Sequence, residues 1–190
     1  MILQGLVRYY EDLLRLGKIA RPGWGPAKVS FALELGKGGE LLSLIILKTE
    51  QQRGKKSGLF PRSMEVPMPA KRASGIAANF LCDNSGYLLG VDTKGKPERT
   101  EKCFTAAREL HLSLLSKVNT PAAQAVVAYF QNWDPDQAFN HPALTEDWKE
   151  IQDGANLIFW YEDKPVTEDR EIRRAWQRYY DQPGTGPVMP

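Results

Sequence analysis

The sequence is short of the side chains from which catalytic and metal centres are usually assembled. It holds two histidines and two cysteines in 190 residues. His111 sits in a stretch with helical apolar spacing, and His141 stands 30 positions further on, before Pro142. With no HxxxH or HD pair, that spacing argues against a metal site. Cys82 and Cys103 form no close pair and stand among apolar neighbours, as buried thiols of a reduced intracellular protein do. The glycine clusters GKGG and GKKSG lack the GxxxxGK[ST] spacing of a phosphate loop and read as turns. Asp134 with Asp136 and Glu168 with Asp169 fall in turns or at helix starts, where capping accounts for them. No nucleophile–base constellation emerges, so the expectation is a binding protein without enzymatic activity and without a cofactor.

Long apolar runs are missing too. No stretch approaches the about 18 apolar residues of a membrane span. The start, MILQGLVRYYEDLL, has no basic n-region and is interrupted by Arg8, Glu11 and Asp12, unlike a signal peptide. The expected location is therefore the cytoplasm. There is no internal repeat and no low-complexity segment. The tail DQPGTGPVMP has no periodicity and ends on an apolar pair, which reads as a boundary in front of more chain.

What is present is an ordinary globular composition, 42% hydrophobic and 25% charged, with an uneven spread of charge. Residues 1–102 carry 17 basic and 10 acidic residues, a net of +7, whereas 103–190 carry 8 and 13, a net of −5. One face meeting a polyanion explains this asymmetry, and so does an internal interface between the two parts. The basic excess peaks between Lys48 and Arg72, where seven Lys or Arg stand against Glu50 and Glu65.

Periodicity predicts an α+β domain: an N-terminal helix, a mixed or antiparallel sheet in the first half and a helical second half, divided near residue 96. Ile2, Leu3, Leu6, Val7, Tyr10, Leu13 and Leu14 give the first helix over 2–16, stopped by Gly17. Residues 28–35 and 40–48 predict a β-hairpin around GKGG. Residues 49–58 have no apolar anchor and predict a loop that is mobile without a ligand. Pro67 and Pro69 confine the extended run 59–66 to an edge or end it. Short strands are expected at 80–83 and 87–91, separated by Asn84, Ser85 and Gly86. Pro97 and Pro121 open two helices, 156–162 reads as a strand, and a last helix over 167–180 is expected to be capped by Thr167.

The segment that promises chemistry is 48–90. Lys48, Arg53, Lys55, Lys56 and Arg62 would supply sequence-independent attraction to phosphate. Lys71, Arg72, Ser74, Asn79 and Asn84 combine charge, hydroxyl and amide groups of the kind that read base edges, and Gly75 keeps the backbone slim enough for a groove. The plainer readings are a solvated basic loop and, for Asn84, a turn cap.

The stretches MILQGLVRYYEDLL, KIARPGWGPAKVSFAL, ELLSLIILK with the following RGKK, PRSMEVPMPAKRASGIAANFLCDNSGYLLGVD and KCFTAARELHLSLL together resemble the start of the large subunit of the subtype I-C CRISPR Cascade complex. The likeness runs through the chain in order and is most specific over 61–92; members of that family are considerably longer. The resemblance implies recognition of the protospacer-adjacent motif in double-stranded DNA, help in opening the duplex, and docking of a helicase-nuclease, in a complex with other Cascade subunits and guide RNA. It places the motif-reading region on Lys71 to Asn84. The competing reading is an interaction module that contacts guide RNA and partner subunits.

Overall fold

The structure is a computed structural model that describes residues 2–15, 21–53, 56–70, 72 and 75–182. Helix α1 (Ile2–Arg15) forms where the apolar spacing predicts it. Ile2, Leu3, Leu6, Val7, Tyr9 and Tyr10 remain on the surface, from Ile2 at 84% exposed to Tyr10 at 43%.

Strand β1 (Trp24–Val29) pairs antiparallel with β6 (Arg62–Pro67), from Trp24 opposite Pro67 to Val29 opposite Arg62. The predicted hairpin forms from β2 (Phe31–Leu35) and β3 (Leu41–Ile46). Its first arm starts later than expected, because β1 leaves for a different partner at Val29. The turn between them needs Gly39 in the left-handed region (φ +83°), against the backbone of Ala128 and Tyr129.

The segment 49–58 corrects the sequence reading. Its described residues are β4 (Thr49–Arg53) and β5 (Lys56–Phe60), paired antiparallel from Thr49 opposite Phe60 to Arg53 opposite Lys56, while 54 and 55 lie outside the described residues. Cross-strand backbone pairing, with Ser57 Oγ donating to Glu50 Oε1 at 3.1 Å, supplies the order that apolar anchors do not. The run 87–91 is also corrected. Only β7 (Cys82–Asn84) extends; α2 (Ser85–Leu88) follows because Asn84 Oδ1 accepts the N–H of Gly86 and caps it.

Helices α3 (Pro97–Leu115) and α4 (Pro121–Asn132) begin at the two prolines, as predicted. Then come 3-10 turns, α5 (Trp148–Gln152), β8 (Asn156–Tyr161), the short β9 (Lys164–Pro165) and α6 (Arg170–Tyr180). The cap of α6 is Asp169, whose Oδ1 accepts from the N–H groups of Glu171 and Ile172. Thr167 instead lies buried in the preceding 3-10 turn. A carboxylate at the position that reaches both amides outcompetes the hydroxyl two residues earlier.

The main sheet has the order β3-β2-β8-β7, with β9 beside β8; β2 and β8 run parallel and the other pairs antiparallel. One strand of the basic half and one of the acidic half thus lie side by side at the centre, and residue 96 divides charge without dividing the fold. The helices cover one face of the sheet. There Phe31, Leu33, Phe80, Tyr129, Phe130 and Phe159 pack together in the principal core, while Val29, Ala32, Leu47, Val66, Cys82 and Ile158 form a smaller one. Each Val, Leu, Ile or Phe among them contributes about 1.5–3 kcal/mol through burial.

Candidate nucleic-acid interface

The two prolines that end β6 lead into a loop folded on itself. The N–H of Ala70 donates to Asn79 Oδ1 at 2.9 Å, closing the loop at its base. At its centre is Asp83, 2% exposed in its side chain. Arg72 Nη1 donates to Asp83 Oδ1 at 2.9 Å and Arg72 Nη2 to Asp83 Oδ2, a two-pronged pair. The backbone N–H groups of Asn79 and Asn84 each donate to the same carboxylate at 2.8 Å. Arg72 Nε donates to the carbonyl of Ala77 at 2.5 Å, and the guanidinium lies over the ring of Tyr87, 4.0 Å from its centre.

This arrangement fixes what Arg72 does here. A planar fork with one carboxylate, one carbonyl and one aromatic face around it is held in a single orientation. Burial pushes the Asp83 carboxyl upward, against the opposing hydrogen bonds and charge of Arg72 and the two backbone donors. Arg72 itself, which burial would lower, is raised overall by Asp83.

The far end of the loop is anchored in the core. Leu81 adopts a left-handed conformation (φ 62°), and its N–H donates to His111 Nε2 on α3 at 2.9 Å. His111 Nδ1 lies 2.6 Å from the carbonyl of Ala107, so that nitrogen carries the proton and the ring is neutral. Burial brings its pKa down to about 4. Phe80 stacks on Trp176 with ring centres 5.5 Å apart.

Between this loop and α3 lies a cavity of about 300 Å³, lined by Arg72, Gly75, Asn84, Gly86, Tyr87, Asp92, Arg99, Thr100 and Cys103. Its wall mixes guanidinium, carboxylate, amide and hydroxyl groups with one aromatic ring, which suits a ligand that is both flat and polar. Arg99 is exposed, and its side chain makes no ion pair or hydrogen bond among the described residues.

The predicted site residues divide accordingly. Arg72, Gly75 and Asn84 come together at the cavity. A side chain at Gly75 would meet open space, so the glycine leaves the cavity mouth clear without being required by packing. Asn79 stands at the loop base with its amide oxygen engaged and its amide nitrogen without a protein acceptor among the described residues. Asn84 is occupied as a helix cap, the plainer of its two sequence readings. Lys48 is drawn inward: its Nζ donates to Glu150 Oε2 at 2.6 Å and lies 4.5 Å from the Phe31 ring centre. Arg62 is exposed on β6, with no ion pair among the described residues. Arg53 and Lys56 face each other in register at the end of the β4–β5 hairpin. Lys55, Lys71 and Ser74 lie outside the described residues.

Sequence reasoning missed Asp83, Tyr87, Arg99 and Thr100. The one available signal was Asp83, an acid closing the apolar run NFLCD, where a buried charge requires a partner.

Over residues 6–188 the sequence matches the model of a family described as CRISPR-associated protein (Cas_Csd1). The chain belongs to that family. The match extends from α1 to beyond α6, so the anchored loop, the cavity and both charge halves fall within the Cas_Csd1 region. No curated protein matches the chain. Among the described residues no helix is long and apolar enough to cross a membrane.

Proposed function

We propose that this Cas_Csd1-family chain is a non-catalytic, double-stranded-DNA-binding component of a CRISPR surveillance complex, recognising the protospacer-adjacent motif and aiding duplex opening. The observation that carries the reading is the hydrogen-bonded knot of Asp83 with Arg72 and the backbone of Asn79 and Asn84, beside a polar cavity. Base readout needs donors and acceptors fixed in space before the duplex arrives, because ordering a loop on binding costs affinity.

In this scheme Arg72 positions the loop, and Asn79, with its uncommitted amide nitrogen, reads base edges together with Lys71 and Ser74. Asn84 and Arg99 face the cavity, where the exposed Arg99 guanidinium is placed to meet a phosphate or a base edge. Arg62, Arg53 of β4 and Lys56 of β5, with Lys48 and Lys55, hold phosphate. The remaining surface serves the other subunits with their guide RNA and the recruited helicase-nuclease.

The test is a set of duplexes differing only in the base pairs flanking the target, titrated by fluorescence anisotropy against the native chain, Asn79→Ala and Arg62→Ala. Discrimination among duplexes by the native chain is expected. Asn79→Ala should abolish it, at a cost of about 1–3 kcal/mol on the preferred motif alone. Arg62→Ala should weaken every duplex alike. Equal binding of all duplexes by the native chain removes the proposal.

A second reading has its own observation. The exposed apolar row Ile2, Leu3, Leu6 and Val7 on α1 suits a protein contact, so that the chain would serve as a scaffold that meets guide RNA and partner subunits. Retention of subunit assembly by a chain whose motif discrimination is absent would favour it.

A further inference from the structure

The half of the chain that the sequence marks as acidic contains an arginine cleft that the motif-reading scheme does not use. Arg170, Arg173 and Arg174 stand on successive turns of α6, and Arg21 faces them from the turn that precedes β1. Together with Trp24 and Gln177 they line a cleft of about 300 Å³ with no carboxylate among its lining residues.

The cleft is built rather than incidental. Arg21 is fixed by a turn in which its carbonyl accepts the N–H of Trp24 at 2.9 Å. That turn is clamped to α6 by Trp176 Nε1, which donates to the carbonyl of Gly23 at 2.6 Å. Gly23 sits in the left-handed region (φ +81°) against the Tyr180 ring, which leaves no room for a larger residue. Arg173 is held from three sides. Its guanidinium lies 3.7 Å from the centre of the Trp24 ring, Nη1 donates to the carbonyl of Thr167 at 3.1 Å, and Nη2 donates to Glu65 Oε2 at 3.0 Å.

Charge then decides what the cleft can take. Glu65 pairs with Arg173 and Glu171 with Arg174. Arg21 and Arg170 are exposed and make no ion pair among the described residues, so the cleft keeps two uncompensated guanidinium charges. Lys28 extends the cationic surface: it stands opposite Ser63 on β1–β6, on the same face as Glu65, and is exposed. The cationic track from the cleft to Lys28 thus crosses one carboxylate, Glu65, which Arg173 neutralises.

We propose that Arg21 and Arg170, set by Arg173 and Arg174, form a second binding site for the phosphodiester backbone of a nucleic acid, separate from the loop 70–84. Guanidinium forks match the paired oxygens of a phosphodiester, and a line of them tracks a strand without regard to base. An acidic protein surface is the competing occupant; the extension of the track along a β-ribbon by Lys28 favours a continuous polyanion.

The proposal does not rest on motif reading, and its test uses a quantity that motif reading does not move. The native chain and the double variant Arg21→Gln/Arg170→Gln are titrated at several salt concentrations with one duplex DNA, one single-stranded DNA and one single-stranded RNA of equal length. A control variant, Lys37→Gln/Lys117→Gln, removes the same charge from exposed positions outside the cleft. The cleft variant should lose several-fold in affinity for at least one of the three. Its salt slope should shrink by about 1.8 for duplex or about 1.4 for a single strand. The nucleic acid that responds identifies the source of the backbone. Unchanged slopes for all three, an equal loss in the control, or no binding of the native chain to any of them at low salt overturns the proposal. Loss of motif discrimination with an intact slope difference would leave it standing.

Discussion

His111 on α3 accepts the backbone N–H of Leu81 at 2.9 Å, a bond that ties the helical half to the end of the loop that bears Asn79 and Asn84. Only a neutral imidazole with its proton on Nδ1 can do so. A second proton on Nε2 would turn the acceptor into a donor facing a donor.

Acid should therefore act on this loop first. Burial lowers the His111 pKa to about 4, whereas the unfolded chain titrates near the ordinary 6.5. Above 6.5 neither state binds the proton. As pH falls below it the unfolded chain does and the fold does not, so stability drops until the pH passes about 4. The full span is about 3 kcal/mol at 1.36 kcal/mol per unit. Urea midpoints between pH 7 and pH 4 check it, with His111→Gln expected to flatten the profile. A native chain whose midpoint does not fall over this range contradicts the assignment.

Arg72 should behave as a positioning residue. Arg72→Ala strands a buried carboxylate and should cost about 3 kcal/mol in unfolding free energy. Arg72→Lys should recover little, since an ammonium cannot bridge both oxygens, reach Ala77 and cover the Tyr87 ring together. Thermal melts of the two variants decide the point, and full stability in the lysine variant would show that charge alone suffices.

The cap and the reading role of Asn84 can be separated. Asn84→Asp keeps an oxygen for the Gly86 N–H and should leave stability nearly unchanged, while Asn84→Ala should cost about 1 kcal/mol. If Asn84 also faces a base, the aspartate variant should lose motif binding while remaining folded. Equal DNA binding by the native and aspartate chains would reduce Asn84 to a cap.

Gly39→Ala should be among the most damaging single changes. An added Cβ would lie 2.2 Å from the Tyr129 backbone nitrogen and 2.5 Å from the Ala128 carbonyl carbon, at a residue already left-handed. Overpacking at about 1–3 kcal/mol adds to a backbone cost of about 1–2 kcal/mol. A urea midpoint close to that of the native chain would mean that α4 can move away from the turn.

Local signals explain which parts of the molecule were legible. Apolar spacing and prolines give α1, α3 and α4, and alternation in β2 with apolar runs in β3 and β8 gives those strands, because each of these announces itself within its own residues. The β4–β5 hairpin does not, since its order comes from cross-strand pairing with little apolar content. At Asn84 and Asp169, capping oxygens decide where α2 and α6 begin, against a strand-like run in one case and a threonine in the other. The candidate site follows the same rule. Arg72, Gly75 and Asn84 were legible from their chemistry. Lys48 gave no sign that Glu150, 102 residues away, would claim it. Nor does any local pattern bring Arg99 and Thr100 to the mouth of the loop or Arg21 to the face of α6.

The parallel pairing of β2 with β8 also sets an order of events. Phe31 has no sheet partner on that side until Leu157 arrives, and Cys82 of β7 waits for Ile158 of the same strand. Such distant pairings close late and slowly. A ribosome that has made the whole basic half has therefore not yet made a complete sheet: until β8 emerges, β7 and the end of the loop it carries have no strand to seat them.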